Sequence, residues 1–381
     1  MHTDYLIVGG GMTAAAAARG IREVDPDGTI TIVSDEPYPP YRRPWLSKKL
    51  WAGGDESKVW VDLPDVELVN DRRIVSLDLG AKTATDDRGD EYRYGKLLLA
   101  TGGTPRRLGG DDAKVIYFRT LDDYRRLRAL GEGSHVVVIG GGFIGSEIAA
   151  ALAGAGDAVT MVFPEPAINS RLLPRDLADF VTEYYREHGV DVLPDETVAS
   201  VEGTRVTLGS GRVLEADAVV AGLGIVPNTS LAEAAGLPVD NGIVVDEHGR
   251  VDGHEDVFAA GDVASFPSPV LARRFRVEHE DHANTHGRVV GENMAGAHKA
   301  YDHMPFFYSD LFDLGYEAVG DVDSRLDTVE QWETPQRKGV VTYVDADHRP
   351  RGFLLWDTWG KVDEARERIK AGEPVKGTEL V

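Results

Sequence analysis

The feature that most constrains this chain is a glycine-rich turn that occurs twice, each time between a short apolar run and an alanine-rich segment. The first copy is Gly9-Gly10-Gly11-Met12-Thr13-Ala14, and the second is Gly140-Gly141-Gly142-Phe143-Ile144-Gly145. Both fit the dinucleotide-binding pattern G-x-G-x-x-G/A, which is weak alone because glycines also mark plain turns. Two copies in the same context leave little room for chance.

Each copy has the pattern of a strand, a tight turn, a helix and a second strand, which is a βαβ unit. The predicted elements are 5–8, 12–21 and 30–33 in the first copy and 136–139, 144–152 and 159–163 in the second. Each copy later has another apolar strand that runs into small residues, at 97–102 and 219–224. The chain is therefore predicted to be an α/β protein with two Rossmann-like dinucleotide-binding domains, produced by internal duplication.

The residues of the first turn have the types that dinucleotide binding needs. Gly9 permits the tight turn, Gly11 lets the backbone approach a pyrophosphate, and Ala14 lets helix and strand pack closely. The helix amino terminus supplies N–H groups and the positive end of a dipole to the phosphates. Asp35 and Glu36 follow the second strand, about 20 residues beyond the turn, where an acid binds ribose hydroxyls.

The second turn repeats these roles with Gly140, Gly142 and Gly145, and Glu165 occupies the acidic position. An acid there accepts ribose hydroxyl hydrogen bonds and repels a 2′-phosphate, and the first arginine after Glu165 is Arg171. NADH is therefore favoured over NADPH. Two different dinucleotides in one chain imply hydride exchange between them, and FAD with NADH is the natural pair.

The composition limits both the reactions that the chain can catalyse and the classes of partner that it can bind. The sequence has no cysteine, which excludes disulfides, thiolate metal sites and cysteine nucleophiles. With 64 acidic and 41 basic residues the net charge is −23, which argues against nucleic acid and anionic membranes as partners and favours small molecules. No run reaches the roughly 18 apolar residues of a membrane span, and an apolar strand begins by Tyr5, so we expect a cytoplasmic protein.

The predicted division has three parts. Residues 1–112 and 240–303 form the FAD-binding domain, 113–239 the NAD-binding domain, and 304–381 a small C-terminal α+β domain. In the last part, apolar runs at 340–344 and 352–356 predict a hairpin, and the pattern at 362–370 predicts an amphipathic helix that Gly372 ends. A few residues at the carboxyl end have a disordered composition.

Five stretches carry a resemblance that extends over essentially the whole chain: 41–48, 100–106, 140–147, 276–283 and 315–320. They resemble the FAD-dependent pyridine nucleotide oxidoreductases, which have a glutathione-reductase-like fold. Within that family, they are similar to the branch of apoptosis-inducing factor and bacterial ferredoxin and rubredoxin reductases. The resemblance implies an FAD-dependent NADH oxidoreductase in which hydride passes from nicotinamide C4 to flavin N5.

The resemblance also implies the reactive residues. Arg43 and Lys48 match residues that contact FAD, with Lys48 near flavin N5, where its charge stabilises the reduced ring. Glu147 matches the ion-pair partner of Lys48. Phe143 matches an aromatic residue that covers the flavin and moves aside for nicotinamide. The alternatives are that Lys48 and Glu147 are solvated surface residues and that Phe143 belongs to the core.

Further cofactor contacts follow from the same resemblance. They are assigned to Met12, Thr13, Ile74, Ala100, Thr101, Gly102, Ile144, Gly224 and Asp262. Asp262 matches the residue on the ribityl chain, although a Gly-Asp turn also occurs without a ligand. Ile74 matches a backbone contact to the adenine end of FAD, and Gly224 matches a point where the chain approaches NADH. Tyr308 stands where a tryptophan is frequent in the family and is expected to stack on the flavin.

The cluster Glu278-His279-Glu280-Asp281-His282 allows two interpretations. Two histidines three residues apart among carboxylates are compatible with a metal site. The resemblance instead places Glu278, His279, Glu280 and Ala283 beside the flavin ring, at the start of a helix whose amino end faces the pyrimidine. We favour flavin contact. Glu280 differs from the histidine common in animal members of the family.

The electron acceptor is left open between two hypotheses. One is a reductase that passes electrons to a ferredoxin, a rubredoxin or a quinone, and the other is a redox sensor that keeps a reduced flavin with NAD and forms a homodimer. Without cysteines, electrons must leave directly from the flavin. An acidic ferredoxin would need a basic docking patch on this acidic chain, for which Arg273, Arg274 and Arg276 are the dense candidates.

Overall fold

The computed structural model of the chain describes residues 1–109 and 113–376. The domain boundary predicted at residue 112 and the carboxyl-terminal residues 377–381 lie outside that range. The chain forms two compact units. Unit 1 comprises Met1–Arg42, Glu56–Thr104 and Val226–Pro305. Unit 2 comprises Arg43–Asp55, Pro105–Ile225 and the described residues from Phe306 onward.

The helices, in chain order, are α1 (Met12–Val24), α2 (Leu121–Arg128), α3 (Phe143–Gly154), α4 (Arg175–Glu187), α5 (Ser230–Ala234), α6 (Glu280–Met294) and α7 (Val362–Ala371). Short 3₁₀ turns span Arg43–Leu46, Glu56–Lys58 and Gly261–Val263.

The strands of the first part are β1 (His2–Val8), β2 (Ile30–Val33), β3 (Glu67–Val69), β4 (Ile74–Asp78), β5 (Thr83–Asp86), β6 (Glu91–Leu99), β7 (Gly103–Pro105) and β8 (Ile116–Tyr117). The middle part contains β9 (His135–Ile139), β10 (Ala158–Val162), β11 (Val190–Leu193), β12 (Val198–Glu202), β13 (Arg205–Leu208), β14 (Val213–Glu215), β15 (Ala218–Ala221) and β16 (Ile225–Pro227). The last part contains β17 (Ile243–Val244), β18 (Val257–Ala259), β19 (Ala264–Ser268), β20 (Arg273–Phe275), β21 (Phe306–Leu311), β22 (Leu314–Gly320), β23 (Asp327–Thr334), β24 (Lys338–Val344) and β25 (Pro350–Trp356).

The main sheet of unit 1 has the order β3-β2-β1-β6-β5-β4, and β18 pairs with the far end of β6. The strands β3, β2, β1, β6 and β18 are parallel, and β5 and β4 add an antiparallel edge. Alternate residues of β1 enter different cores, Leu6 and Val8 on one face and Tyr5 and Ile7 on the other. The chain turns to the opposite side of β1 when it reaches β6, and ligands bind at such a switch point, at the carboxyl ends of the strands.

Small residues let α1 and α6 pack closely in unit 1. A Cβ at Gly287 would lie 2.5 Å from the carbonyl oxygen of Thr13, and one at Gly291 would collide with the carbonyl oxygen of Ala17. The alanine-rich sequence of α1 is therefore a packing surface as well as a good helix former. This packing fixes the helix that begins at the first glycine turn.

The main sheet of unit 2 repeats the pattern with the order β11-β10-β9-β15-β8, in which all pairs are parallel. Its switch point lies between β9 and β15. One face is covered by the antiparallel sheet β12-β13-β14, whose Val206 and Leu208 pack with Val137 and Val219. The predicted α/β fold is confirmed, and the strand–turn–helix pattern recurs in both units as the sequence predicted.

Unit 2 also contains the antiparallel sheet β21-β22-β25-β24-β23. The predicted hairpin is β24 and β25, which are paired antiparallel. The predicted helix is α7, with Ala365 and Ile369 buried, and Gly372 ends it in the left-handed region at φ 61°. These local predictions are confirmed.

The segment Arg43–Asp55 belongs to unit 2, although the sequence division placed it in the first domain. Its Leu46 and Leu50 are buried, and the ring of Trp51 meets Tyr124 of α2 edge-on at 5.7 Å. The segment therefore packs beside α2. Within the described residues, no helix is long and apolar enough to cross a membrane.

Candidate functional site

The first glycine turn joins β1 to α1 at the switch point of unit 1. Gly9 has φ 113°, and a Cβ there would collide with the carbonyl oxygen of Ala100 at the end of β6. Gly11 caps α1 with extended backbone and without a side-chain hydrogen bond, and a Cβ on it would meet nothing within 4 Å. The space before this helix terminus, together with its N–H groups, fits the pyrophosphate of a dinucleotide. Met12, Thr13 and Ala14 are buried.

The second glycine turn has nearly the same geometry at the switch point of unit 2. Gly140 has φ 117°, and its Cβ would collide with the carbonyl oxygen of Gly222 at the end of β15. Gly142 caps α3 without a side-chain hydrogen bond and again has open space. Gly145 must stay small, because a Cβ there would collide with the carbonyl oxygen of Gly140. This turn also fits a pyrophosphate.

The two turns differ in their surroundings. Thr13 of the first is 8% exposed, whereas Ile144, at the equivalent place in the second, is 37% exposed. Gly142 is exposed, and Phe143 is half-buried. The second turn therefore lies in a more open part of its unit than the first.

The acidic positions after the second strands are occupied as the sequence predicted. Glu36 accepts a hydrogen bond from the Tyr41 hydroxyl at 2.6 Å, and Asp35 forms an exposed ion pair with Arg73 at 3.4 Å. Glu165 pairs with Arg171 at 2.6 Å, with the Glu165 side chain 25% and the Arg171 side chain 85% exposed. The prediction noted Arg171 only as the first arginine after Glu165, and its direct contact with the acid was not foreseen.

A buried carboxylate cluster in unit 2 contains two of the predicted catalytic residues. Lys48 Nζ lies 2.6 Å from Glu147 Oε1, and the Glu147 side chain is 5% exposed. The hydroxyl of Ser47 donates to Glu147 Oε2 at 2.6 Å, and that of Ser309 donates to Oε1 at 2.7 Å. Three donors hold this buried carboxylate in place, which supports the pairing implied by the resemblance and disfavours the surface alternative.

Aromatic rings adjoin this cluster. Phe143 meets Phe307 edge-on at 5.1 Å, and Lys48 Nζ lies 5.3 Å from the ring centre of Tyr308. Arg43 donates to the carbonyl oxygen of Arg119 at 3.0 Å. The structure thus brings together Lys48, Glu147 and Tyr308, with Ser47 immediately before Lys48 in the chain.

The charges of Glu147 and Lys48 affect the pKa values of neighbouring side chains. Burial raises the pKa of Asp310, Glu147 adds to the rise, and Lys48 opposes it. The pKa of Tyr316 is raised well above its usual value, first by burial and then by Glu147. The region therefore resists further negative charge, and Lys48 is its principal compensating cation.

Further predicted cofactor residues lie at strand ends in unit 1. Ala100, Thr101 and Gly102 follow β6, and the Thr101 hydroxyl donates to the carbonyl oxygen of Asn228 at 2.8 Å. Asp262 lies in the 3₁₀ turn after β18, the strand that pairs with β6. Ile74 begins β4 and is buried. In unit 2, Gly224 follows β15 with φ 77° and open space at its Cβ position.

The stretch 276–283 leads into α6 of unit 1. Arg276 pairs with Glu278 at 2.6 Å, His279 caps the helix, Glu280 is its first residue, and the Ala283 N–H donates to the carbonyl oxygen of His279. In the described residues, no group of three or more acids and histidines is arranged to hold a metal ion.

Two histidines of α6 are fully buried beside the first turn. His282 bonds to the Tyr301 hydroxyl at 3.0 Å, and the Gly261 N–H donates to His286 Nδ1 at 3.4 Å. Burial lowers the pKa of His282 well below its usual value and that of His286 to about 3. Both imidazoles are therefore neutral. A Cβ at Gly261 would collide with Thr13, which places this pair next to α1.

Sequence reasoning missed Ser47, Ser309 and His286 as members of these clusters. Ser47 and Ser309 lie 100 and 162 residues from Glu147 along the chain. At such separations, a serine in the sequence does not indicate which carboxylate it will contact. For His286, the spacing i, i+4 from His282 on one helix face was a usable signal.

A chain with two dinucleotide-binding turns and a lysine–carboxylate cluster is a dinucleotide-dependent oxidoreductase by class. Comparison with known proteins agrees: the family described as pyridine nucleotide-disulphide oxidoreductase matches residues 3–297. The C-terminal family of mitochondrion-associated apoptosis-inducing factor matches residues 290–337. The chain belongs to the pyridine nucleotide-disulphide oxidoreductase family.

Relatives and solved structures sharpen this assignment. The chain is 34% identical to apoptosis-inducing factor 1, mitochondrial, of Dictyostelium discoideum, over 96% of this chain and 78% of that protein. It is 33% identical to the ferredoxin–NAD(+) reductase component of the anthranilate 1,2-dioxygenase system of Burkholderia cepacia, over 97% and 94%. It superposes on putidaredoxin reductase from a covalent complex with putidaredoxin with a TM-score of 0.91 at 30% identity, over 98% and 94%.

These findings establish the chemistry at the level of the family. The chain is an FAD-dependent NAD(P)H oxidoreductase that passes electrons to an acceptor. Since it has no cysteine, it does so without a redox-active disulfide.

Proposed function

We propose that this protein oxidises NADH and delivers the electrons to an external one-electron carrier, with Lys48 and Glu147 as its catalytic pair. The observation that carries the proposal is the buried Glu147 carboxylate with donors from Lys48, Ser47 and Ser309. A cation held this firmly can balance negative charge that develops on a reacting group beside it. FAD, when bound, accepts hydride at N5 from nicotinamide C4 and releases electrons singly.

We assign the dinucleotides by the two turns. The first turn and Asp35 or Glu36 bind FAD, and the second turn with Glu165 binds NADH. The buried surroundings of Met12 and Thr13 suit a cofactor that stays, and the open surroundings of Ile144 suit a coenzyme that exchanges. The division into an FAD domain (1–112, 240–303), an NAD domain (113–239) and a C-terminal domain (304–381) remains part of this proposal, as does a cytoplasmic location.

The proposed roles of the chain's own residues are positioning and charge. Lys48 supplies positive charge toward flavin N5, and Glu147 fixes the ammonium in place. Phe143, which is half-buried and contacts Phe307, occupies the nicotinamide position until NADH binds and excludes water from it. The remaining predicted FAD contacts, from Arg43 and Ile74 to Asp262, Glu278, His279, Glu280 and Ala283, are binding residues in this proposal.

A ferredoxin-type protein is the acceptor that the relatives support. The Burkholderia protein is named a ferredoxin–NAD(+) reductase component, and putidaredoxin reductase is found in a complex with putidaredoxin. Both are covered almost completely by this chain. A rubredoxin or a quinone would receive electrons by the same chemistry and is the alternative acceptor.

A slow redox sensor is the second candidate. It is favoured by the match of residues 290–337 to the C-terminal family of apoptosis-inducing factor and by the Dictyostelium relative. In that case NADH would produce a long-lived reduced state and would favour a homodimer.

Anaerobic rapid mixing separates these functions. NADH should bleach the flavin absorbance, and a ferredoxin added next should restore it within the turnover time. A persistent long-wavelength band that ferredoxin does not remove would favour the sensor. Protein that stays colourless after reconstitution with FAD would refute both.

A further inference from the structure

We propose that α2 and the segment Arg43–Asp55 form a docking surface for an acidic one-electron carrier protein of the ferredoxin type. We call this surface the basic face. The proposal rests on the proposed function, since it names where the acceptor of that same reaction binds. It concerns unit 2 alone.

The basic face has a charge opposite to that of the chain. The segment Arg43–Asp55 and α2 together contain six basic and three acidic residues, in a protein whose net charge is −23. The side chains of Lys49, Arg126 and Arg128 are exposed. An acidic partner would be repelled by most of this protein and attracted here, so complementary charge would orient its approach.

Two cations of the basic face, Lys49 and Arg128, lie over aromatic rings, whereas Arg125 pairs with Asp122 at 3.6 Å. Lys49 Nζ lies 4.0 Å from the ring centre of Trp45, and the Arg128 guanidinium lies 5.0 Å from that of Trp51. An aromatic partner leaves the full charge of a cation in place, whereas a carboxylate cancels it. Two exposed arginines elsewhere in unit 2 pair with acids instead, Arg205 with Glu215 and Arg212 with Asp191.

Trp51 is fixed by a hydrogen bond and a ring contact, which gives this part of the basic face rigidity. The indole N–H of Trp51 donates to the carbonyl oxygen of Leu46 at 2.8 Å, and its ring meets Tyr124 edge-on. Arg126 donates to the carbonyl oxygen of Lys114 at 2.8 Å. Tryptophan and arginine on preorganised supports are the residues that dominate binding energy at protein interfaces.

The position of the basic face suits electron transfer. Lys49 follows Lys48, whose ammonium is bound to Glu147, so one short segment carries both the docking cation and the catalytic cation.

The patch expected from sequence is less suited to this role. Arg274 donates to the carbonyl oxygens of Val245 and Ser265, and Arg276 pairs with Glu278. Their guanidinium groups support the local fold of unit 1. Arg273 and Arg274 are both exposed, and the Arg273 guanidinium lies 4.1 Å from the ring centre of Phe275.

The test is a charge reversal with a matched control. The double variant Lys49→Glu/Arg128→Glu changes the net charge by the same amount as Arg205→Glu/Arg212→Glu, which alters exposed cations of unit 2 outside the basic face. NADH-dependent reduction is measured with an acidic [2Fe–2S] ferredoxin, with cytochrome c as a basic carrier and with a small quinone. Overall, NADH reduces two ferredoxins and releases NAD⁺ and one proton.

We expect the first variant to raise the KM for ferredoxin by roughly tenfold or more and to weaken its salt dependence, with quinone reduction unchanged. The control should change that KM by less than about threefold. Equal effects of both variants, an unaffected KM, or no ferredoxin reduction by the wild type would overturn the docking proposal. Failure of NADH to bleach the flavin would instead overturn the proposed function.

Discussion

The two glycine turns have almost the same backbone and different environments. Gly9 and Gly140 have φ values of 113° and 117°, and each lies against a carbonyl oxygen of the neighbouring strand. The first turn adjoins two buried, neutral histidines, whereas the helix of the second carries the buried Glu147, which pairs with Lys48. The two turns thus share a backbone suited to a dinucleotide, and in the proposed function their different surroundings separate cofactor storage from charge transfer.

The largest expected effect is the loss of one dinucleotide, a different one for each turn. Gly9→Val should yield protein without flavin, and Gly140→Val should keep its flavin but lose bleaching by NADH. In each case the Cβ collides with backbone that cannot move and φ is unfavourable. The measurement is flavin content from the visible spectrum, followed by anaerobic titration with NADH.

Gly131→Val provides the control. Gly131 also has positive φ, 81°, but open space at its Cβ position, so it reports strain without collision. Retention of NADH bleaching in Gly140→Val would contradict the assignment of the second turn, and flavin binding by Gly9→Val would contradict that of the first.

The next effect concerns the neutral surroundings of the first turn. His282 and His286 are neutral when folded but accept protons when unfolded, so the unfolded state gains protons as pH falls below about 6.5. Stability is therefore lost as pH falls, by up to about 1.4 kcal/mol per pH unit for each histidine, until His286 itself titrates near pH 3.

Denaturant unfolding between pH 7 and pH 5 measures this slope. His286→Gln should flatten it, and the exposed His2→Gln should leave it unchanged. A variant slope equal to that of the wild type would show that His286 accepts its proton in the folded protein.

The charged surroundings of the second turn predict a kinetic effect of intermediate size. Glu147→Gln keeps the shape of the side chain but removes its charge, which leaves Lys48 without its partner. Hydrogen bonds to charged groups contribute about 1.5–3 kcal/mol, so flavin reduction by NADH should slow by roughly ten- to a hundredfold, with FAD retained. Stopped-flow bleaching measures the rate.

Ser309→Ala tests whether the Glu147 carboxylate must be fixed by its hydrogen bonds in addition to carrying its charge. Its hydroxyl is one of three donors to Glu147, and we expect a loss of about tenfold or less that Ser309→Thr partly rescues. Unchanged reduction rates in both Glu147→Gln and Ser309→Ala would remove the cluster from the mechanism.

The sequence predicts the turns well and the clusters poorly, for a physical reason. Each turn is six contiguous residues whose first glycine has a positive φ, so the glycine pattern can be recognised before the fold is known. The donors to Glu147 come from Ser47 and Ser309, which only the tertiary structure brings together. The resemblance supplied the Lys48–Glu147 pair, but no local pattern indicates that Arg43–Asp55 packs with the second unit.

The smallest expected effect concerns coenzyme choice at the second turn. If Glu165 repels a 2′-phosphate as proposed, Arg171 neutralises part of that charge, and because Arg171 is 85% exposed, solvent screens the pair. Arg171→Ala should therefore lower kcat/KM for NADPH by only about two- to fivefold, with NADH unchanged, so that preference for NADH increases. Glu165→Gln should act in the opposite direction, because Arg171 then faces the phosphate without competition.

Arg175→Ala is the matched control, since Arg175 is an exposed arginine of the same unit that pairs with Asp179 instead. A ratio of NADPH to NADH activity that moves equally in the Arg171 and Arg175 variants would show that the turn selects its coenzyme without the Glu165 pair.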